Sequence, residues 1–215
     1  MNKFILSLWI LALASVAVAQ GDPSEKLLDK LAKKLKSHKN LYIEYTVIVR
    51  NKQTESNSFE DGKISSKGNR FKLTSKTTDI YCDGLTQWTY LKADNEVMIS
   101  KADADSDDVI SNPVRFLTGK RKEFKYKYAD KVEEDGKRWS EINYFPKDLK
   151  TPYSYIKLRF DEQKMQPYSI FYSGKDGVDY TVRLKTYIPD TDMPNDEDFV
   201  FNPMKYPDIV ITDLR

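Results

Sequence analysis

The sequence predicts an α+β fold that is mainly antiparallel β, one curved sheet with an apolar inner face covered by a few helices. Three observations predict it. The pair Asp-Gly recurs at Asp61-Gly62, Asp83-Gly84, Asp135-Gly136 and Asp176-Gly177, so half of the 8 glycines carry one hairpin signal. The runs between these pairs alternate: Ile156, Leu158 and Phe160 interleave with Lys157 and Arg159, and Val182 and Leu184 with Arg183 and Lys185. The chain also holds 14 Tyr and 10 Phe, residue types that favour strands.

A chain of 215 residues with 40% apolar content is expected to form one domain. Its net charge of +2, with both signs interspersed, argues against a nucleic-acid footprint. One Cys excludes an internal disulfide. Residues 1–19 read as a secretory signal: Lys3 is the positive start, Phe4 to Val16 the apolar run, and Ala17-Val18-Ala19 the small-residue cleavage pattern. An uncleaved membrane anchor is the alternative, but the run is short for a span. The mature domain is then 20–215, exported, soluble and not itself lipidated, since no Cys lies near the cleavage site.

The first mature element is a helix. Asp22, Pro23 and Glu25 are its start signals, and Leu27, Leu28, Leu31 and Leu35 form its apolar stripe. His38 is expected to be solvated in its polar last turn. Leu41 to Val49 is the first strand, with Ile43, Tyr45 and Val47 on one face. Two β-prone runs meet at Asp83-Gly84 within Ile80–Leu91, and further strands are expected at Gly62–Ser66, Arg70–Ser75, Glu96–Ser100, Phe124–Lys131, Arg138–Phe145, Tyr155–Phe160, Pro167–Tyr172 and Asp179–Tyr187. At Asp83-Gly84 a three-residue loop is preferred over a two-residue one, because it places Ile80 on the face of Trp88 and Tyr90. That aromatic face is expected to be the inner one, packed by the leucines of the first helix. Asp103, Asp105, Asp107 and Asp108 imitate a calcium loop, but Asp108 and Val114 stand where Gly and Glu are needed, so a solvated loop is expected. Pro113 to Leu117 reads as a short helix, and the segment from Pro189 to Arg215 as irregular with one late strand.

Catalytic and metal signatures do not emerge. There is 1 His and 1 Cys, too few for a zinc site. No G-x-S-x-G and no phosphate-cradling glycine loop occurs. The carboxylates fall in turns and on polar strand faces rather than paired in an apolar setting. No enzyme activity, cofactor or metal is expected. What remains is apolar surface, which serves either as an ordinary core closed by the helices or as a site for an apolar ligand.

The order of features resembles the LolA family of lipoprotein carriers, in its Bacteroidetes form. The residues are the Asp22-Pro23 helix, Tyr42-Ile43-Glu44-Tyr45-Thr46, Gly62-Lys63-Ile64, Gly68-Asn69-Arg70-Phe71-Lys72-Leu73, Asp83-Gly84-x-Thr86-x-Trp88-x-Tyr90, Pro113 with its helix, Ile156-Lys157-Leu158-x-Phe160-Asp161, and Phe199-x-Phe201-x-Pro203-x-x-Tyr206-Pro207 to Asp213-Leu214-Arg215. The resemblance implies an unclosed β-barrel and a periplasmic, monomeric carrier without a cofactor. Its cargo would be acylated lipoproteins, taken from the inner-membrane release machinery and given to an outer-membrane acceptor. On that reading the acyl chains meet Leu28, Leu31, Leu35, Ile43, Tyr45, Phe71, Leu73, Trp88, Tyr90, Phe116, Leu117, Ile156 and Leu158. The family's Arg-Pro pair, whose Arg bonds to the lid, is absent here; Lys67 and Arg70 are the candidates to replace it. The alternative function is a module of the same fold that senses lipid or lipoprotein and signals to a protein partner.

Overall fold

The computed structural model describes residues 22–102, 113–118, 122–191 and 195–215. The expected leader at 1–19 and the acidic loop with Asp103, Asp105, Asp107 and Asp108 lie outside them. In chain order the elements are α1 (Ser24–Lys36), β1 (Leu41–Asn51), β2 (Ser56–Lys67), β3 (Arg70–Ser75), β4 (Thr78–Cys82), β5 (Thr86–Leu91), β6 (Glu96–Lys101) and α2 (Pro113–Thr118). Then follow β7 (Phe124–Glu134), β8 (Lys137–Pro146), β9 (Tyr153–Asp161), β10 (Gln166–Gly174), β11 (Val178–Pro189) and β12 (Val210–Asp213). All 12 strands form one curved, unclosed sheet in the order β12-β6-β5-β4-β3-β2-β1-β11-β10-β9-β8-β7. Every pairing is antiparallel except β12 on β6, which is parallel. The expected mainly antiparallel α+β class is therefore what the chain adopts.

Three of the Asp-Gly pairs do turn the chain. Asp135 and Gly136, at φ 51° and 69°, make a two-residue turn between paired Glu134 and Lys137. Asp61-Gly62 does not turn. It lies inside β2, and the hairpin occurs ten residues earlier, where the Asn51 side chain accepts the N–H groups of Gln53 (2.9 Å) and Thr54 (3.1 Å). Asn51 thus supplies the turn chemistry. Gly62 is needed for another reason: it pairs with Tyr45, whose ring occupies the place of a side chain there.

The Asp83-Gly84 register also departs from expectation. Cys82 pairs with Gln87 and Tyr81 with Trp88, so residues 83–86 lie between the last paired residues of β4 and β5, Thr86 already being paired with Lys101 of β6. The Asp83 carboxylate accepts the N–H groups of Leu85 and Thr86, both at 2.8 Å, which favours this longer loop over either shorter one. Parity is reversed as a result. Trp88 and Tyr90 share a face with Tyr81, and Ile80 and Cys82 lie on the other.

Helix α1 starts where Asp22 accepts the N–H of Ser24. The same carboxylate receives the N–H of Tyr128 on edge strand β7, at 3.3 Å. Burial acts to raise the Asp22 pKa, but the bonds from Ser24 and Tyr128 and the nearby Lys127 outweigh it, and the group sits below the usual carboxylate range. The helix buries Leu27, Leu28, Leu31 and Leu35 against the inner face of the sheet, each fully buried leucine being worth roughly 2 kcal/mol. Just past the helix, His38 is not solvated as expected. Its side chain is 7% exposed, with Nδ1 at 3.0 Å from Asp190 Oδ2 and the ring edge-on to Tyr187.

A candidate apolar binding concavity

The inner face is a single apolar surface. From the strands it takes Ile43 and Tyr45 of β1, Ile64 of β2, Phe71 and Leu73 of β3, and Ile80 of β4. The far half adds Ile142 and Tyr144 of β8, Ile156, Leu158 and Phe160 of β9, Ile170 of β10 and Val182 of β11. Helix α2 contributes Phe116 and Leu117, and the Phe116 ring lies 5.3 Å from that of Tyr144. Leu28, Leu31, Leu35, Ile43, Tyr45, Phe71, Leu73, Phe116, Leu117, Ile156 and Leu158 are thus brought into one buried cluster.

Trp88 and Tyr90 are not in it. The reversed parity of β5 sends them to the outer face, where Tyr81, Tyr90, Val97 and Phe201 form a separate cluster with Trp88 packed against it. The C-terminal segment, not α1, covers these rings. Phe201 lies 5.5 Å from Tyr81, and Tyr206 lies 4.4 Å from Tyr90. The aromatic residues of Phe199-x-Phe201 and Tyr206, which belong to no expected strand, were the signal that this face had a different cover. Lys67 and Arg70 serve the same segment. Lys67 Nζ and Arg70 Nη1 each lie 2.8 Å from an Asp196 carboxylate oxygen, Asp196 opening a short 3-10 turn at Asp196–Phe199. Among the described residues their ion-pair partner is the C-terminal strap rather than a covering helix.

The helices do not seal the whole inner face. Towards β1–β5 a cavity of about 300 Å³ stays open, with an apolar floor of Val47, Leu73, Ile80 and Leu91 beside Tyr45. Val47, Ile80 and Leu91 were not among the expected site residues; parity along β1 from Ile43 points to Val47, whereas Ile80 and Leu91 follow only from the observed registers of β3, β4 and β5. Leu158 lies under the helices with no exposed surface, so it belongs to the sealed part and not to a solvent-reachable one.

The groups at the opening are chemically quiet. Burial drives the Tyr45 phenol well above its ordinary pKa, so it stays neutral. Glu60 stands at the rim, opposite Val47. Burial acts to raise its pKa, yet bonds from Ser75 and Thr77 hold it below the usual range, so it is ionised. Thr77 supplies two of these, from its N–H at 3.1 Å and its hydroxyl at 2.8 Å. Among the described residues no group of three or more His, Cys, Asp or Glu could hold a metal ion. An apolar trough with an open mouth and a polar rim can take up an alkyl chain and leave its polar end in water.

The family model for outer membrane lipoprotein carrier protein LolA matches residues 15–142, more than half of the chain. The chain belongs to the LolA family. The matched stretch runs through the open cavity and into β8. The fold is shared with an uncharacterized conserved protein from Thermus thermophilus, at a TM-score of 0.59 and 11% identity, over 88% of this chain and 98% of that one. A LolA superfamily protein from Nitrosomonas europaea aligns over 82% of this chain and 97% of its own, at 10% identity and a TM-score of 0.42. A chain of the Pseudomonas aeruginosa MucA/MucB complex aligns over 83% of this chain and 61% of its own, at 13% identity and a TM-score of 0.46. No curated protein matches the sequence. Among the described residues no helix is long and apolar enough to cross a membrane.

Proposed function

We propose that this LolA-family protein is a periplasmic carrier, cleaved to a single domain at 20–215, that holds the acyl anchor of lipoproteins in its concavity. It would take them from a release machinery in the inner membrane and pass them, as a monomer, to an acceptor in the outer membrane. The observation that carries the reading is the open apolar floor of Val47, Leu73, Ile80 and Leu91, continuous with residues sealed under α1 and α2. Binding rather than catalysis is the activity, since the floor of the cavity is apolar, the Tyr45 phenol is neutral, and the polar groups, Glu60 with its partners Ser75 and Thr77, are tied to one another at the rim.

The energetics suit a carrier. At about 0.8 kcal/mol per buried methylene, about ten methylenes supply about 8 kcal/mol. That holds a cargo in water yet lets a membrane partner take it back.

The test is saturable binding of a fluorescent fatty acid by the delipidated protein, alongside Val47→Lys. The new ammonium meets Glu60 directly across the strand pair, so the fold tolerates it. An acyl chain would have to desolvate that pair and is expected to be rejected. Wild-type protein that takes up no acyl probe, or a folded Val47→Lys that binds it as well as wild type, overturns the reading. Acylated proteins should also co-purify from the periplasm.

A further inference from the structure

We propose that the outer surface at the β8–β9 end of the sheet, with Leu149 at its tip, docks on an anionic lipid bilayer. This surface lies on the opposite face and the opposite half of the sheet from the open cavity, and the inference does not rest on what that cavity holds.

Two features meet there. The first is apolar surface held out into water. Leu149 is 80% exposed and Phe145 41%. Beside them on the same face, Tyr155 and Phe171 pack ring to ring at 5.7 Å. The second is uncompensated positive charge. Lys125 stands opposite Phe145 in the β7–β8 ladder. Lys157 Nζ sits 5.6 Å above the Tyr155 ring and 5.8 Å above Phe171. Lys147 and Lys150 flank Leu149 in sequence, and Lys175 reaches the loop from the next hairpin.

None of these five lysines joins an ion pair among the described residues, whereas Lys52, Lys63, Lys67, Lys92 and Lys185 elsewhere on the sheet each have a carboxylate partner. Among the described residues the carboxylates around this end include Glu123, Asp148, Asp176 and Asp179; Asp148 accepts the backbone N–H of Lys150 at 2.8 Å, Asp176 that of Val178 at 3.0 Å, and Asp179 is paired with Lys52 at 2.9 Å. The tip is also braced. Lys147 Nζ donates to the Lys122 carbonyl at 2.6 Å, Lys175 Nζ donates to the Leu149 carbonyl, and the Lys175 N–H donates to the Pro152 carbonyl at 2.9 Å. These carbonyl bonds leave the ammonium charges in place.

A leucine tip ringed by lysines without a carboxylate partner among the described residues, over an aromatic face, suits an interface where apolar side chains enter the headgroup layer and lysines meet lipid phosphates. A soluble acidic protein would satisfy the lysines but gives no reason to hold Leu149 fully out in water on a braced loop.

The experiment is co-sedimentation of the mature protein with vesicles of phosphatidylcholine, with and without phosphatidylglycerol. Wild type should pellet with the anionic vesicles at low salt and be released as salt rises. Leu149→Ser should weaken this about ten-fold. The pair Lys125→Glu with Lys150→Glu, neither lysine being engaged in a side-chain bond among the described residues, should weaken it by more than about twenty-fold, from about five-fold per lysine. Urea midpoints of both variants should match wild type. Failure of wild type to pellet with anionic vesicles overturns the proposal, as does binding that both variants retain. Equal binding to phosphatidylcholine alone overturns it too, because it would report acyl uptake by the concavity. Soluble polyglutamate that competes fully, and binds Leu149→Ser as well as wild type, would make this a face for acidic protein and overturn the bilayer.

Discussion

Tyr45 and Gly62 face each other across the β1–β2 ladder, and the tyrosine ring fills the space above the glycine. A Cβ at residue 62 would lie 2.6 Å from the Tyr45 hydroxyl oxygen and 2.8 Å from its Cε2. The ring is buried and borders the open cavity. Gly62→Ala is therefore expected to push the ring aside at a cost of about 1–3 kcal/mol. Urea unfolding measures the cost. Acyl-probe binding should change in the same variant, since the displaced ring enters or uncovers the trough. An Ala variant as stable as wild type would mean that Tyr45 has another place to go.

Leu158 provides the contrast to Val47. It pairs with Ile142 and Ile170 on its neighbours and has no exposed surface. Leu158→Glu buries a charge with no partner and is expected to cost about 3–5 kcal/mol, a large share of a typical domain's stability. Val47→Lys, partly buried at the cavity and opposite Glu60, should lose far less. Parallel denaturation curves decide it. Equal losses would mean that both positions are sealed.

Trp88 should be blind to the cavity. It lies on the outer face with Tyr81, under the C-terminal strap. In a Trp139→Phe background and in protein beginning at Gln20, acyl ligands are expected to leave its emission unchanged. Phe201→Ala should shift that emission to the red and cost about 3 kcal/mol, because Phe201 is 5% exposed among the rings. A ligand-dependent Trp88 signal would show that the two faces are coupled.

Asp190 ties the end of α1 to β11. Its carboxylate accepts the Lys39 N–H at 2.7 Å and meets His38 Nδ1 at 3.0 Å. The His38 bond, then the Lys39 N–H, hold its pKa below the usual carboxylate value. A depressed folded pKa contributes stability that is present above the unfolded value of about 3.9 and is lost as pH falls through the lower folded value. Wild type should thus exceed Asp190→Asn in urea midpoint near neutrality, with the gap closing as pH falls below about 4. A gap that persists in acid would assign the effect to the amide's geometry rather than to the charge.

Much of this architecture was legible in the residues themselves. Local chemistry determined the amphipathic α1 with its leucine stripe, the Asp135-Gly136 and Asp176-Gly177 turns, and the alternation that puts Ile156, Leu158 and Ile43 on one face. Each depends on neighbours within a few positions, where periodicity and turn preference act directly. The ordered motifs also pointed to the family, because they span most of the chain.

Register and cover were settled only by tertiary structure. One residue of slip at Asp83-Gly84 inverts every side chain of β5, and the deciding bonds are those the Leu85 and Thr86 N–H groups donate to the Asp83 carboxylate, which hydrophobic alternation does not show. Alternation says that Trp88 and Tyr90 share a face but not which element covers it; that was decided by Phe201 and Tyr206, more than a hundred residues away. Asp61-Gly62 reads as a turn because the pair can turn, yet the glycine is used for the room it leaves to Tyr45 across the ladder. His38 reads as solvated because its sequence neighbours are polar, while Asp190 and Tyr187 reach it from β11 and its end. At Asp83 the choice is made by local bonds that hydrophobic alternation does not show; for Trp88, Gly62 and His38 the competing local preferences differ by little, and contacts between residues distant in the chain choose among them.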